Sequence, residues 1–175
     1  MSEQLSITHC APGDEHALAL VGQATFLETF AGILSGKAIV SHCLQAHAAG
    51  IYRDWLADSA VRIWLAAVAP DQAPVGYLVL APAQLPLDDL AEGELEIKRI
   101  YCLRRFQGGG LGKRMLNAAL EHARAQGAPR VLLGVYANNA EAIAFYRHHG
   151  FEIVGARTFN VGGTTYHDHI MGRRL

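Results

Sequence analysis

The residues whose types and spacing point most directly to chemistry lie between Arg104 and Lys113. This stretch reads Arg-Arg-Phe-Gln-Gly-Gly-Gly-Leu-Gly-Lys and lies between a strand-like segment and an amphipathic helical pattern. Its glycines leave backbone N–H groups uncovered at the beginning of a helix. Because the positive end of the helix dipole and these free donors attract phosphate groups, the stretch predicts a binding site for a pyrophosphate.

The spacing of the glycines excludes two common nucleotide-binding loops. A P-loop needs a glycine five residues before Gly112 and a Ser or Thr after the lysine, but the chain has Gln107 and Arg114 at these positions. The dinucleotide pattern G-x-G-x-x-G also fails, because Lys113 occupies the position of its third glycine. The pattern that fits is Gln-x-x-Gly-x-Gly, which begins at Gln107 and ends at Gly112.

The flanking segments predict the elements that position this loop. Residues 94–103 have the β-branched and aromatic content of a strand, and residues 111–126 repeat apolar side chains at helical spacing until Gly127. A buried strand follows at 131–136, and Asn139 begins a second helix that ends at Gly150. The order of elements is therefore strand, loop, helix, strand, helix.

Two motifs in this region resemble those of a known family. After the Gln-x-x-Gly-x-Gly loop comes Asn139-x-x-Ala142-x-x-x-Tyr146, which is followed by Gly150 and Phe151. Together and in this order they resemble the GNAT superfamily of N-acetyltransferases, which hold acetyl-coenzyme A. The resemblance implies an enzyme that moves an acetyl group from acetyl-coenzyme A directly to an amine, with no metal.

Further segments resemble the PaiA-type bacterial polyamine acetyltransferases within this superfamily. They are residues 25–30, 96–101, 106–107, 132–135, 142–146 and 168–171. This resemblance implies a small amine as acceptor, and a polyamine such as spermidine or spermine is the first choice. Residues 160–167 depart from the pattern, because they lack the acidic cluster that the polyamine relatives tend to carry.

The rest of the chain predicts a single domain over residues 1–175. The expected elements are a strand at 5–9, a helix at 13–30, one or two helical segments within 38–57 joined near Gly50, strands at 62–68 and 75–81, a loop at 83–93, and two antiparallel strands within 151–175 joined around Gly162 and Gly163. This order indicates an α/β (α+β) fold with a mixed, mostly antiparallel sheet and helices on both faces. The resemblance adds a splay of the sheet between the strands before and after the coenzyme-binding helix.

The resemblance also implies which residues hold the coenzyme. They are Ile100, Tyr101 and Cys102 along the pantetheine arm, then Gln107, Gly108, Gly109, Gly110, Leu111, Gly112 and Lys113 around the pyrophosphate, and finally Asn139 and Tyr146. Asn139 can cap its helix and still present its amide to the pantetheine arm.

Acetyl transfer to an amine needs a base and an acid, since an amine with a pKa of about 10 is mostly protonated at pH 7. Glu96 is the leading base, because several GNAT enzymes place a strand glutamate six residues before the position of Cys102. Glu94 shares its face by strand alternation and could act through water, while solvated carboxylates are the alternative for both. Tyr146 is the leading acid beside the coenzyme sulfur, and a core tyrosine is the alternative.

Charge is unevenly distributed along a chain whose net charge is −1. Six basic and no acidic residues lie within 98–114, and five acidic residues lie within 88–96. The basic stretch suits phosphates and the acidic stretch could attract a cationic acceptor, although such runs often only solvate a surface. Nucleic acid is disfavoured as a partner, because the basic cluster is local.

Composition narrows the class of protein further. With 175 residues and 51% hydrophobic content the chain suits one core, and it contains no apolar run of about 18 residues that would predict a membrane span. Cys10, Cys43 and Cys102 have neither disulfide nor zinc spacing, and no histidine pair has enough further ligands for a metal. We expect a cytoplasmic protein, and a homodimer stays open.

Two alternatives to a polyamine acetyltransferase remain at this point. One is a non-catalytic module that binds acyl-coenzyme A and senses metabolic state. The other is a GNAT enzyme whose acceptor is an amino acid, an antibiotic or a peptide N-terminus.

Overall fold

The computed structural model describes residues 4–161 and 163–175, which form seven strands and five α-helices together with their connecting loops. The strands are β1 (Leu5–His9), β2 (Arg62–Val68), β3 (Ala73–Pro82), β4 (Leu95–Cys102), β5 (Arg130–Tyr136), β6 (Glu152–Val161) and β7 (Thr164–Arg174). The helices are α1 (Glu15–Phe30), α2 (Gly36–Ala46), α3 (Ala49–Ala57), α4 (Leu111–Ala125) and α5 (Ala140–His148). A short 3-10 turn at Arg104–Phe106 follows β4.

The strands form one sheet in the order β1-β2-β3-β4-β5-β7-β6. The β1–β2, β5–β7 and β6–β7 pairs are antiparallel, whereas β4 and β5 are parallel. The parallel ladder joins Leu95–Ile97 to Val131–Leu133, so it covers only the first part of β4 among the described residues. The predicted fold class, a mixed and mostly antiparallel sheet flanked by helices, is confirmed.

The element boundaries agree with the prediction to within about two residues, except at the break between α2 and α3. We expected this break near Gly50, but Gly50 lies in the first turn of α3 and the break falls at His47 and Ala48. The physical reason is tertiary. The side chain of His47 is buried, and Arg99 Nη2 donates to the carbonyl oxygen of Ala46 at 2.7 Å, which satisfies the last carbonyl of α2. Gly162, part of the predicted final turn, lies outside the described residues.

The chain divides into two compact units. The first unit contains Met1–Val79 and Arg99–Ala118, and the second contains Leu80–Lys98 and Ala119–Leu175. The single domain stays a prediction.

A buried polar cluster fixes the helices of the first unit to its strands. The Tyr52 hydroxyl donates to Tyr77 Oη at 3.2 Å and accepts from Arg99 Nη1 at 2.8 Å. Nδ1 of His47 lies 3.1 Å from the same guanidinium nitrogen, and it is an acceptor there because a guanidinium can only donate. Gly22 of α1 lies directly against this cluster, since a Cβ atom at this position would collide with the Tyr52 hydroxyl.

In the second unit, a buried ion pair holds the loop 83–93 in place. Arg130 donates through Nε to Glu94 Oε1 at 2.6 Å and through Nη2 to Glu94 Oε2 at 2.8 Å. Its Nη1 also reaches Asp89 Oδ2 at 3.1 Å. Leu85 of the loop packs against Leu132 and Ile170 of the sheet. The loop is therefore anchored by both charge and apolar packing.

No helix within residues 4–161 and 163–175 is long and apolar enough to cross a membrane. No group of three or more His, Cys, Asp or Glu side chains is arranged there to hold a metal ion.

The stability of the protein should depend on pH through His47. Burial, followed by the nearby Arg99 and His42, lowers the pKa of His47 from 6.5 to about 3. The unfolded chain therefore binds a proton at pH 5 that the folded chain does not, and stability is lost as pH falls below about 6.5. We expect this residue to remove about 2 kcal/mol of unfolding free energy between pH 7 and pH 5.

Urea denaturation of the full chain at both pH values measures this effect. His47→Asn keeps a polar atom near the Nδ1 position but cannot titrate, so the loss between pH 7 and pH 5 should shrink by that amount. His16→Asn changes an exposed histidine and should keep the wild-type pH dependence. An unchanged loss in His47→Asn would contradict the assignment.

Candidate active site

The glycine loop of the first unit has a backbone shape that depends on glycine. Gly108 and Gly110 have φ angles of +79° and +81°, a left-handed region that other residues rarely adopt. Arg114 N–H donates to the Gly110 carbonyl at 3.0 Å, which marks the first turn of α4. The N–H groups of the residues before Arg114 in this turn have no acceptor within the helix, because an α-helix leaves its first donors unpaired.

The loop is open where an anion would bind. A Cβ atom built at Gly108, Gly109 or Gly110 meets no heavy atom within 4 Å among the described residues. Lys113 and Arg114 are exposed on the first turn of α4 and add positive charge. Open space, helix-start donors and positive charge fit the pyrophosphate of coenzyme A.

Neighbouring side chains fix the loop without covering it. Gln107 Nε2 donates to the Cys102 carbonyl at 3.1 Å, which ties the loop to the end of β4. The Arg104 N–H donates to Glu28 Oε2 at 2.7 Å, which ties it to α1. The predicted cofactor residues from Gln107 to Lys113 thus lie together. They follow the short turn after β4, the strand that ends with Ile100, Tyr101 and Cys102.

The end of β4 lies close to β3. The Tyr101 ring stacks on Tyr77 with centroids 6.2 Å apart, and a Cβ atom at Gly76 would lie 2.9 Å from Cys102 Cβ. Glycine at position 76 therefore permits this approach.

Burial, and then Glu28, raises the pKa of the Cys102 thiol to about 11. Since a nucleophilic cysteine needs its thiolate form, this shift agrees with a structural cysteine.

Asn139 and Tyr146 lie on α5 in the second unit. Asn139 Oδ1 accepts from the Ala142 N–H at 3.1 Å, so Asn139 caps the helix as expected. Tyr146 is 8% exposed, and its ring packs edge-on against Phe151 at 5.8 Å and Phe145 at 5.3 Å. Its ring thus belongs to the apolar packing of α5.

The two candidate bases have different surroundings in the second unit. Glu96 Oε2 accepts from the Gln84 N–H at 3.1 Å and from Lys98 Nζ at 3.4 Å. Both oxygens of Glu94 accept from Arg130, and this contact is the main reason why the pKa of Glu94 is lowered. A carboxylate held in this way is a weak proton acceptor, so the geometry favours Glu96 over Glu94.

The acidic stretch 88–96 is partly neutralised by these contacts. Asp89 and Glu94 pair with Arg130, and Glu96 pairs with Lys98. The attraction for a cationic acceptor that the sequence suggested is therefore weaker than the count of acidic residues implies.

No sequence motif indicated the buried cluster around Arg99. Its members come from separate elements: His47 follows α2, Tyr52 lies in α3, Tyr77 in β3 and Arg99 in β4. No spacing motif joins residues that are so far apart along the chain. The available signal was a basic residue within a predicted strand, because a charge that the sheet buries needs partners.

Comparison with known proteins agrees with this geometry. The model of the acetyltransferase (GNAT) family matches residues 28–151. An uncharacterized N-acetyltransferase of Mycobacterium bovis is 29% identical, over 93% of this chain and 98% of the relative. The spermine/spermidine N(1)-acetyltransferase of Bacillus subtilis is 36% identical over 42% of this chain and 49% of its own length.

A solved structure shares the fold. The PaiA N-acetyltransferase from Thermoplasma acidophilum, in complex with coenzyme A, superposes with a TM-score of 0.79 at 20% identity, over 98% of this chain and 99% of that one. The family model covers most of the chain, and GNAT acetyltransferases use acetyl-coenzyme A. The chain therefore belongs to the acetyltransferase (GNAT) family, and it is an N-acetyltransferase.

Proposed function

We propose that this N-acetyltransferase moves an acetyl group from acetyl-coenzyme A directly to the primary amine of a small acceptor. The observation that carries the proposal is the open glycine loop at the start of α4, held by Gln107 and Glu28. Acetyl-coenzyme A supplies the activated thioester. The alternative of a non-catalytic sensor gains no support, and the cytoplasmic location and the homodimer stay predictions.

The first unit binds the coenzyme in this proposal. Backbone N–H groups between Gly108 and Lys113 donate to the pyrophosphate oxygens, and the exposed Lys113 adds charge. Backbone groups of Ile100 to Cys102 pair with the pantetheine arm in the manner of an added strand. The family resemblance also implies a contact from the Asn139 amide, which stays a prediction.

The second unit supplies the base. Glu96 accepts the proton that the acceptor ammonium must lose before its nitrogen can attack. Two donors fix the Glu96 carboxylate in position, namely the Gln84 N–H and the Lys98 ammonium. Glu94 has a structural role instead, because Arg130 holds both of its oxygens.

The second unit also supplies the acid. Tyr146 donates the proton of its phenol to the departing sulfur, so that a thiol rather than a thiolate leaves. Packing against Phe151 and Phe145 restricts the ring to one orientation, which a positioned acid requires.

The resemblance also gives a more specific prediction, namely that the acceptor is a polyamine. The 36% identity to the spermine/spermidine N(1)-acetyltransferase of Bacillus subtilis, over 42% of this chain, supports this prediction. Pairing of Asp89, Glu94 and Glu96 with basic side chains weighs against it, as does the absence of an acidic cluster in 160–167.

A negative charge in the glycine loop should weaken coenzyme binding. Gly109 is the position to change, because its φ is not in the left-handed region and a Cβ atom there meets no neighbour. We expect Gly109→Glu to weaken binding of coenzyme A by about 10-fold or more, through repulsion of the pyrophosphate. Gly109→Gln has nearly the same size without the charge and should stay within about 3-fold of wild type. Calorimetry at low salt measures both affinities, and equal affinities in the two variants would contradict the loop assignment.

Loss of the Tyr146 hydroxyl should slow turnover without affecting coenzyme binding. We expect Tyr146→Phe to lower kcat by about 10-fold to 1,000-fold, the usual range for proton transfer, with an unchanged Kd for coenzyme A. The ring and its packing remain in this variant. Release of coenzyme A thiol, measured on a good acceptor, gives the rate. A wild-type rate in Tyr146→Phe would contradict the acid role and leave Tyr146 with a packing role alone.

Glu96 and Glu94 form a matched pair for the base. Glu96→Gln should lower kcat/KM most at low pH, where the amine is chiefly protonated, and should leave stability nearly unchanged. Glu94→Gln should instead reduce unfolding free energy by about 3 kcal/mol, because it breaks the buried pair with Arg130. Kinetics across pH and urea denaturation of both variants separate these effects. If Glu96→Gln keeps the wild-type pH profile, Glu96 is not the base.

A further inference from the structure

One face of the sheet in the second unit carries an arginine that the reaction outlined above does not use. Tyr136 of β5 is opposite Asp168 of β7, which in turn is opposite Arg157 of β6. Directly opposed residues of an antiparallel pair project to the same face. Gly134, two residues before Tyr136 on β5, therefore belongs to this face as well.

Arg157 is held in one orientation. Its Nε donates to Asp168 Oδ2 at 3.0 Å, and Asp168 is 6% exposed. The guanidinium lies against Gly134, where a Cβ atom would come within 2.5 Å of Nη2 and 2.8 Å of Cζ. Gly134 thus makes room for the arginine, and Asp168 directs it.

The outer edge of this guanidinium is available. The Arg157 side chain is 34% exposed, and neither Nη1 nor Nη2 has a hydrogen-bond partner within residues 4–161 and 163–175. An arginine that is fixed through Nε presents its two Nη groups side by side, which matches the two oxygens of a carboxylate.

The proposed base lies on the same face. Glu96 is opposite Leu132 in the parallel ladder, and Leu132 precedes Gly134 by two residues on β5. One strand spacing and two residues separate the backbone of Glu96 from that of Gly134, roughly 8 Å. This spacing matches an acceptor whose amine and second polar group are several bonds apart.

We propose that Arg157 selects the acceptor by binding its carboxylate, with Asp168 and Gly134 as positioning residues. The acceptor class is then a primary amine that carries a carboxylate several bonds from the nitrogen. This inference rests on the proposed function, since it takes Glu96 as the base. It opposes the polyamine prediction, because a polyamine has no anionic group and the guanidinium repels it.

Lysine and 1,5-diaminopentane provide the matched test. The two molecules share the distal amine and its chain, and the diamine lacks only the carboxylate. Calorimetry on the protein loaded with coenzyme A should give lysine at least about 10-fold tighter binding than the diamine, and spermidine should bind no better than the diamine. Thiol release from acetyl-coenzyme A with the same three amines measures the corresponding KM values.

Variants of Arg157 test whether this side chain causes the preference for lysine over the diamine. Arg157→Gln should raise the KM for lysine by about 10- to 100-fold and leave the KM for the diamine and the affinity for coenzyme A nearly unchanged. Arg157→Lys keeps the charge without the paired Nη donors and should recover part of the affinity. Gly134→Ala should reproduce the Arg157→Gln effect by displacing the guanidinium. Arg174→Gln removes an exposed arginine elsewhere and should match wild type.

The outcomes distinguish this inference from the proposed function. Equal binding of lysine and the diamine by wild type, tighter binding of spermidine, or an equal loss for all amines in Arg157→Gln would overturn it. A preference for lysine that disappears in Arg157→Gln supports it even if thiol release does not depend on Glu96. In that case the assignment of the base fails and the carboxylate site stands.

Discussion

In the proposed function the backbone N–H groups at the start of α4 have to stay uncovered, and the conformation of the glycine loop meets this constraint. Gly108 and Gly110 adopt left-handed angles that keep the loop tight, and no side chain fills the space beside them. The loop is still fixed, because Gln107 bonds to the carbonyl of Cys102 and Glu28 accepts from the N–H of Arg104. In the proposed binding mode a coenzyme meets donors that are already in place, so little ordering opposes its binding.

Two glutamates that are two residues apart illustrate how surroundings decide a role. Glu94 faces the guanidinium of Arg130, which lowers its pKa and makes it part of the anchor for loop 83–93. Glu96 contacts a backbone N–H and the more exposed Lys98. Both residues have the same chemistry, but the partner of Glu94 is a buried guanidinium, whereas the ammonium that pairs with Glu96 is partly exposed.

Basic side chains on one face of the second unit bear on the choice of acceptor. Lys98 and Arg130 partly neutralise the acidic stretch, and Arg157 adds a directed guanidinium on the face that Glu96 shares. A family likeness of about 20% identity fixes the fold but does not carry over such charges. The acceptor is therefore better inferred from the residues of this chain than from the names of its relatives.

The elements, the glycine loop and the cap at Asn139 could be predicted from the sequence, because periodicity, turn residues and capping act within a few positions along the chain. The end of α2, the glutamate that pairs with Arg130 and the position of Arg157 on Gly134 depend on contacts between distant residues. Arg130 is 36 residues from Glu94, and Asp168 meets Arg157 through strand register. Such pairs depend on which strands are neighbours and in which register, and no local pattern records either.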